Sequence, residues 1–391
     1  MDKIESLYAD FLHSRKTQGL KRDLVDISRF SPPQINIDGH PYINFSSNDY
    51  LGLNSHPALI ERAQEWAERY GAGSGASRLV TGNLEIFTKI EDKIAAFKNK
   101  EAALVMVSGF QTNASLLPAL FDKEALGETP LVFSDKLNHA SMHLGCQAAG
   151  ITQIRYRHND MTHLKELLEK HSNNAAPKFI LAESIFSMDG DIAPLEKIYS
   201  LAQQHQCFTI VDEAHATGVL GQNGQGLATK ADLVIGTFSK AFGSFGAYVA
   251  CSKVLKDYLV NKCSGVIYAT ALPPSVLGSI DAALDLIPDM NKERDYLQNI
   301  ATYFRQETSN LGFDCGKSKT QIVPLMIGSA NHALDLSQIL KQNGLWATAI
   351  RPPTVPPNTA RIRFAFSASH TDQDLEKLLN ILKTIPQEKA A

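Results

Sequence analysis

Between residues 90 and 270 short apolar runs alternate with polar or glycine turns and helical segments. The runs are "AALVMVS" (102–108), "PLVFSD" (130–135), "KFILAES" (178–184), "CFTIVDEAH" (207–215), "ADLVIGTFS" (231–239) and "GAYVACS" (246–252). Several are apolar almost throughout, as strands buried on both faces of a sheet must be. Strands separated by helices require crossover connections, which gives an α/β fold with a mainly parallel sheet. A helical stretch at about 276–310 follows. After it come "QIVPLMIG", the helix "ALDLSQILKQNG", the strand "ARIRFAF" and a last helix from Thr371. These read as a smaller α+β domain shared with the N-terminal segment. That segment shows an amphipathic helix over 2–20 and two short strands, "INID" and "PYINF", joined by a turn at Asp38 and Gly39. The boundaries predicted are 48–280 for the large domain, with 1–47 and 281–391 forming the smaller one.

Composition narrows the function classes. A net charge of -3 with 20% charged residues gives no electrostatic reason for a nucleic-acid or anionic-membrane partner. The N-terminus is charged throughout, unlike a secretory signal, and no apolar run reaches membrane-span length. The five cysteines are odd in number and scattered, without metal-ligand spacing or a disulfide framework. Free thiols in a reducing cytoplasm are therefore expected.

Ligands of open α/β sheets bind outside the carboxyl ends of the strands. The first run ends at Ser108–Gly109–Phe110 and feeds a helix, whose N-terminus is suited to an anion. The second delivers His139 and the third Ser187. The fourth ends at Asp212, with His215 three residues on. The fifth ends at Thr237, with Lys240 three residues on. Lys240 is the only charged residue between Asp232 and Lys253, a setting that favours a reactive amine over a solvated ammonium. Singly, each of these residues has an ordinary explanation: a helix cap, a core histidine, a turn. Together, a lysine, a carboxylate, imidazoles, hydroxyls and a phosphate-type helix end describe a pyridoxal 5'-phosphate (PLP) site, whose signature is a lysine with an acidic pyridinium partner.

Other motifs fit less well. "GAGSGASRLVTG" lacks a preceding strand and a correctly placed third glycine for dinucleotide binding. Asp160, before "MTHLKELLEK", reads as a helix cap. No serine sits in a G-x-S-x-G elbow. In "ARIRFAF", Arg361 and Arg363 share one face. They form either a solvated basic face or a carboxylate receptor, with one arginine working and the other structural.

The segments "FSSNDYLGL" (45–53), "SGFQTN" (108–113), "NHAS" (138–141), "FSMDGD" (186–191), "VDEAHATG" (211–218), "TFSKAFG" (237–243) and "IRPPTVPPNTARIRFAFSASH" (350–370) occur in that order. They resemble the α-oxoamine synthases, fold-type-I PLP enzymes that join an amino acid to an acyl thioester with loss of CO2. "TAIRPPTVP" followed by "ARIRF" is most similar to the biotin-pathway branch, which uses L-alanine and a pimeloyl thioester of CoA or acyl-carrier protein. The resemblance implies that Lys240 is the cofactor lysine and the acid/base at the substrate Cα. It implies that Asp212 pairs with the pyridinium nitrogen, His215 with the ring hydroxyl, and that His139 stacks on the ring. Gly109, Phe110, Ser187 and Thr237 are implied as further cofactor contacts. Asn48 and Arg363 would hold the substrate carboxylate, Arg22 would reach the acyl tail, and Thr354 would line the substrate site. A cytoplasmic homodimer is implied as well. Relatives of similar fold would use glycine with acetyl- or succinyl-CoA, transfer an amino group, or serve as a non-catalytic binding subunit.

Overall fold

The computed structural model describes residues 3–29 and 31–385. The chain divides into two compact units, one of residues 1–50, 188–191 and 295–391, the other of residues 51–187 and 192–294.

The larger unit is built on a seven-stranded sheet. Its spatial order is Ala102–Met106, Ala247–Cys251, Leu233–Thr237, Cys207–Asp212, Lys178–Glu183, Leu131–Asp135 and Ile154–Tyr156. Ala247–Cys251 is antiparallel to both neighbours, and the other six strands run parallel. Every residue of Ala102–Met106, Leu233–Thr237 and Ala247–Cys251 is buried, which accounts for their unbroken apolar runs. The helices Gly109–Leu120 and Ala140–Ala148 close one side through Leu116, Leu117, Met142 and Cys146, packed on Val132, Leu181, Ile210 and Ile235. Because six strands share a direction, their last residues meet at one edge: Met106, Asp135, Tyr156, Glu183, Asp212 and Thr237.

The smaller unit carries two sheets. One orders Ser28–Arg29, Gln34–Ile37, His40–Asn44 and Leu345–Trp346, and the other orders Ile322–Gly328, Ala360–Ala365 and Thr348–Ile350. The predicted two-residue turn is present: Asp38 and Gly39 have φ of 52° and 80°, joining paired Ile37 and His40.

Three elements depart from the sequence reading. The edge strand Ile154–Tyr156 is too short to announce itself, and the stretch 276–310 is two helices, Pro274–Leu286 and Asn291–Asn310, broken at Ile287–Asp289. Pro288 lies in that break, and a proline ring removes the amide a continuous helix needs. The helix Lys3–Thr17 forms, but it buries none of its residues within the chain; Ile4, Leu7, Tyr8 and Phe11 are exposed.

All five cysteines are free thiols, four of them buried. Burial pushes the Cys146 thiol up to about 12. Among the described residues, no helix is long and apolar enough to cross a membrane and no acid, histidine or cysteine cluster could hold a metal ion.

Candidate active site

At the edge of the large sheet the chain leaves Met106 and enters the helix Gly109–Leu120. The Ser108 hydroxyl caps it by accepting the Gln111 N–H at 3.3 Å. Gly109 and Phe110 form the first turn, whose N–H groups have no intrahelical acceptor. Phe110 is exposed.

One turn into this helix, Asn113 Nδ2 donates to Asp212 Oδ2 at 2.9 Å and to Ser141 Oγ at 3.0 Å. Asp212 is buried, and its Oδ1 accepts the Ala214 N–H at 2.9 Å. Ser141 Oγ lies 2.7 Å from His139 Nδ1, and the Ser141 N–H donates to the same nitrogen at 3.2 Å. A continuous network thus runs from His139 through Ser141 and Asn113 to Asp212, locking the imidazole at the head of the helix Ala140–Ala148. His139 is exposed. Dense surroundings still hold it below its ordinary pKa, and nearby Lys240 adds to that against the pull of Asp212. The neutral imidazole is thereby favoured.

Lys240 is half-buried, and its Nζ lies 2.8 Å from His215 Nε2. Its loop is fixed at both ends. Before it, Thr237 Oγ1 donates to the Gly246 carbonyl at 2.9 Å, and the Phe238 ring is fully buried. After it, the Gly243 N–H donates to the Lys240 carbonyl at 2.9 Å, with φ of 62°. A Cβ at residue 243 would come within 2.4 Å of the Asn54 backbone nitrogen, so only glycine closes this turn. Ser187 is half-buried in the loop after Lys178–Glu183, behind an isolated bridge of Ile185 with Ile192. Asp160, as expected, is a helix cap and accepts the His163 N–H at 2.9 Å.

The large unit thus brings Gly109, Phe110, His139, Ser187, Asp212, His215, Thr237 and Lys240 to one sheet edge. Asn113, Ser141 and Glu183 also belong there. The spacing of Asn113 from Gly109, one helical turn along the same face, was the available signal for the first of them.

The smaller unit carries a separate constellation. Arg363 is buried; its Nη2 donates to Asn48 Oδ1 at 3.1 Å and reaches Tyr50 Oη at 3.5 Å. Tyr50 Oη donates to the same Asn48 oxygen at 3.1 Å. Arg361 is buried as well, with Nη1 at 2.6 Å from Asp189 Oδ1 and 3.3 Å from the Met188 carbonyl. The solvated basic face is therefore incorrect: every residue of Ala360–Ala365 is buried, and the two guanidiniums are accepted because each finds oxygen acceptors. Asp189 occupies Arg361, whereas Arg363 meets the neutral oxygens of Asn48 and Tyr50. Arg22 Nη2 donates to Thr354 Oγ1 at 3.3 Å, whereas the adjacent Lys21 is paired with Asp23 at 2.5 Å.

Residues 40–382 match the model of the aminotransferase class I and II family. The chain is 50% identical over 393 residues to the 8-amino-7-oxononanoate synthase of Gluconacetobacter diazotrophicus, with 99% of both chains covered. It is 41% identical over 386 residues to the enzyme of that name from Geobacter metallireducens, covering 97% of each. Among solved structures it is similar to a serine palmitoyltransferase from S. paucimobilis with bound PLP–myriocin. That match has a TM-score of 0.90 and 26% identity, over 97% of this chain and 96% of the other. It is also similar to the 8-amino-7-oxononanoate synthase of Francisella tularensis, at a TM-score of 0.75 and 28% identity over 88% and 97%.

Proposed function

The chain belongs to the aminotransferase class I and II family, and from that premise we propose that it is a PLP-dependent acyltransferase. It condenses L-alanine with a pimeloyl thioester to give 8-amino-7-oxononanoate, CO2 and free thiol, a step of biotin synthesis. The observation that carries this reading is full-length identity of about half with 8-amino-7-oxononanoate synthases, in a chain whose Lys240, Asp212 and His139 stand at one sheet edge.

The donor set fits the cofactor. A primary amine at Lys240 suits an aldehyde, and the buried Asp212 suits a protonated ring nitrogen. A capped helix start at Gly109 and Phe110, with hydroxyls at Ser187 and Thr237, suits a phosphate and ring substituents. Bound there, the pyridine ring would accept the electron pair left at the substrate Cα by proton loss and later by CO2 loss.

The chain's own residues supply the rest. Lys240 Nζ takes the Cα proton and later returns one, and His215, 2.8 Å away, orients that amine. Asp212, held by Asn113 and Ala214, would meet the ring nitrogen without rearrangement. His139, neutral and fixed by Ser141, presents a flat face for stacking. Arg363 and Asn48 hold the substrate carboxylate, Arg22 reaches the acyl tail, and Thr354, bonded to Arg22, lines the substrate site. The nucleophilic Cα forms its bond to the thioester carbonyl as the carbon–sulfur bond breaks, and the departing thiolate is protonated to thiol.

A homodimer in the cytoplasm completes the proposal. Its support is apolar surface that the single chain leaves bare: Leu79, Val80 and Tyr268 on the large unit, and the helix Lys3–Thr17 on the small one.

The deciding experiment measures thiol release by cofactor-loaded protein from pimeloyl-, acetyl- and succinyl-CoA and from pimeloyl-carrier protein, each with L-alanine or glycine. Release confined to the pimeloyl donors with L-alanine is the expected result. Release only with a short acyl-CoA and glycine would overturn the substrate, and silence throughout would overturn the activity. Light scattering on the same sample is expected to give twice the chain mass, and a monomer would remove the dimer.

Arg363→Ala is expected to raise the KM for L-alanine about 10- to 100-fold, the worth of hydrogen bonds to a charged group. The KM for the acyl donor should change little. Arg363→Lys should recover only part, because an ammonium lacks the planar fork. An unchanged alanine KM in Arg363→Ala would remove this residue from the carboxylate site.

A further inference from the structure

The strands Lys178–Glu183 and Cys207–Asp212 run parallel and in register to their ends, so Glu183 lies directly beside Asp212. Both carboxyls are buried, at 4% and 7% exposure. Two anions side by side away from water repel each other and lose hydration together, so such a pair holds one proton between them. The hydrogen bonds indicate where it sits. Each oxygen of Asp212 accepts a bond, from the Ala214 N–H and from Asn113 Nδ2, which uses it as a carboxylate. On Glu183, Oε1 is buried with no hydrogen-bond partner. A proton on Glu183 therefore displaces no existing bond.

The charged groups facing Glu183 come from every neighbouring element. They are Asp212 on one flanking strand, Asp135 on the other and Lys240 on its loop. Burial first, and then the charge of Asp212, hold the Glu183 carboxyl well above its ordinary range, with Lys240 and the His139 N–H opposing.

We propose that Glu183 is a positioning residue of this site: it keeps the proton that leaves Asp212 the sole negative charge of the pair. The proposal rests on the PLP reading above. One negative charge at Asp212 matches the single positive charge of a protonated ring nitrogen, whereas two would leave an anion unbalanced.

The test compares Glu183→Gln and Glu183→Ala holoenzymes with wild type. Glutamine keeps a neutral group and a carbonyl acceptor. It is expected to hold kcat/KM within about 3-fold and to leave the pH profile of the visible cofactor band unchanged, since one modest hydrogen-bond change is involved. The infrared difference spectrum, wild type minus Glu183→Gln at neutral pH, should show a protonated-carboxyl C=O band. Alanine leaves a cavity beside Asp212 in which its carboxylate can shift, and should lower kcat about 10- to 100-fold while the cofactor stays bound. Absence of the protonated-carboxyl band, or a Glu183→Gln enzyme as impaired as Glu183→Ala, would overturn the proposal. Should the alanine variant fail to fold, the glutamine variant and the infrared band decide alone. Wild type without a visible cofactor band would sink the PLP reading instead, and the infrared band would still report on Glu183.

Discussion

Replacing Lys240 by alanine is expected to lower thiol release by about 10^4-fold, the upper end of what one positioned acid/base group supplies. Its own loop offers no substitute amine, because Lys240 is the only charged residue between Asp232 and Lys253. His215 is beside it, but an imidazole cannot form the same bond to an aldehyde. The fold should survive, since the half-buried side chain contributes little to the core while Phe238, Phe242 and the Gly243 turn hold the loop. Circular dichroism and the thermal midpoint should therefore match wild type. Cofactor should still bind, since Asp212, His139 and the helix start are unchanged. A well-folded Lys240→Ala protein keeping more than about one-hundredth of wild-type turnover would remove Lys240 from the chemistry.

The lysine was legible in the sequence because its position follows from local rules. An apolar run fixes a strand, the strand end fixes an edge, and three residues past Thr237 is a short step from that edge. The same logic placed Asp212, His215, His139 and the Gly109 turn. Partners across the sheet were not legible in this way. Glu183 meets Asp212 only because two strands 29 positions apart pair in register, and no local pattern encodes that register. Asn113 and Ser141 lay inside motifs already singled out, yet their link to Asp212 depends on helix–strand packing. Arg361 and Arg363 show the converse. Alternation left a wet face and a carboxylate receptor both open, and burial of both arginines was possible because Asp189, Asn48 and Tyr50 supply acceptors from distant parts of the chain. The helix Lys3–Thr17 formed as its composition suggested, without burying anything, since periodicity reports a face but not what covers it.

Lys98→Ala is expected to destabilise the protein by about 3–5 kcal/mol, the usual consequence of stripping one partner from a buried ion pair. Lys98 and Glu213 are both fully buried and bonded to each other. Lys98 also donates to the Gln225 carbonyl, and Glu213 Oε1 accepts the Leu227 and Ala228 N–H groups at 2.5 and 2.8 Å. The pair therefore pins the loop from 213 to 228 onto the helix Ile86–Lys98, and His215 lies in that loop. Burial pulls the Lys98 ammonium down, but Glu213 and Tyr248 outweigh it and leave the lysine above its ordinary range. Its contribution is thus complete at neutral pH and is lost only as pH rises through that elevated value. A urea-denaturation midpoint measured at neutral pH should fall sharply in Lys98→Ala. Part of the loss should return in Lys98→Met/Glu213→Gln, where no unpaired charge remains. A midpoint unmoved by Lys98→Ala would show that water reaches Glu213 in the variant. If activity falls further than the unfolded fraction explains, the loop carries the effect, because Glu213 directly follows Asp212 and shares its backbone.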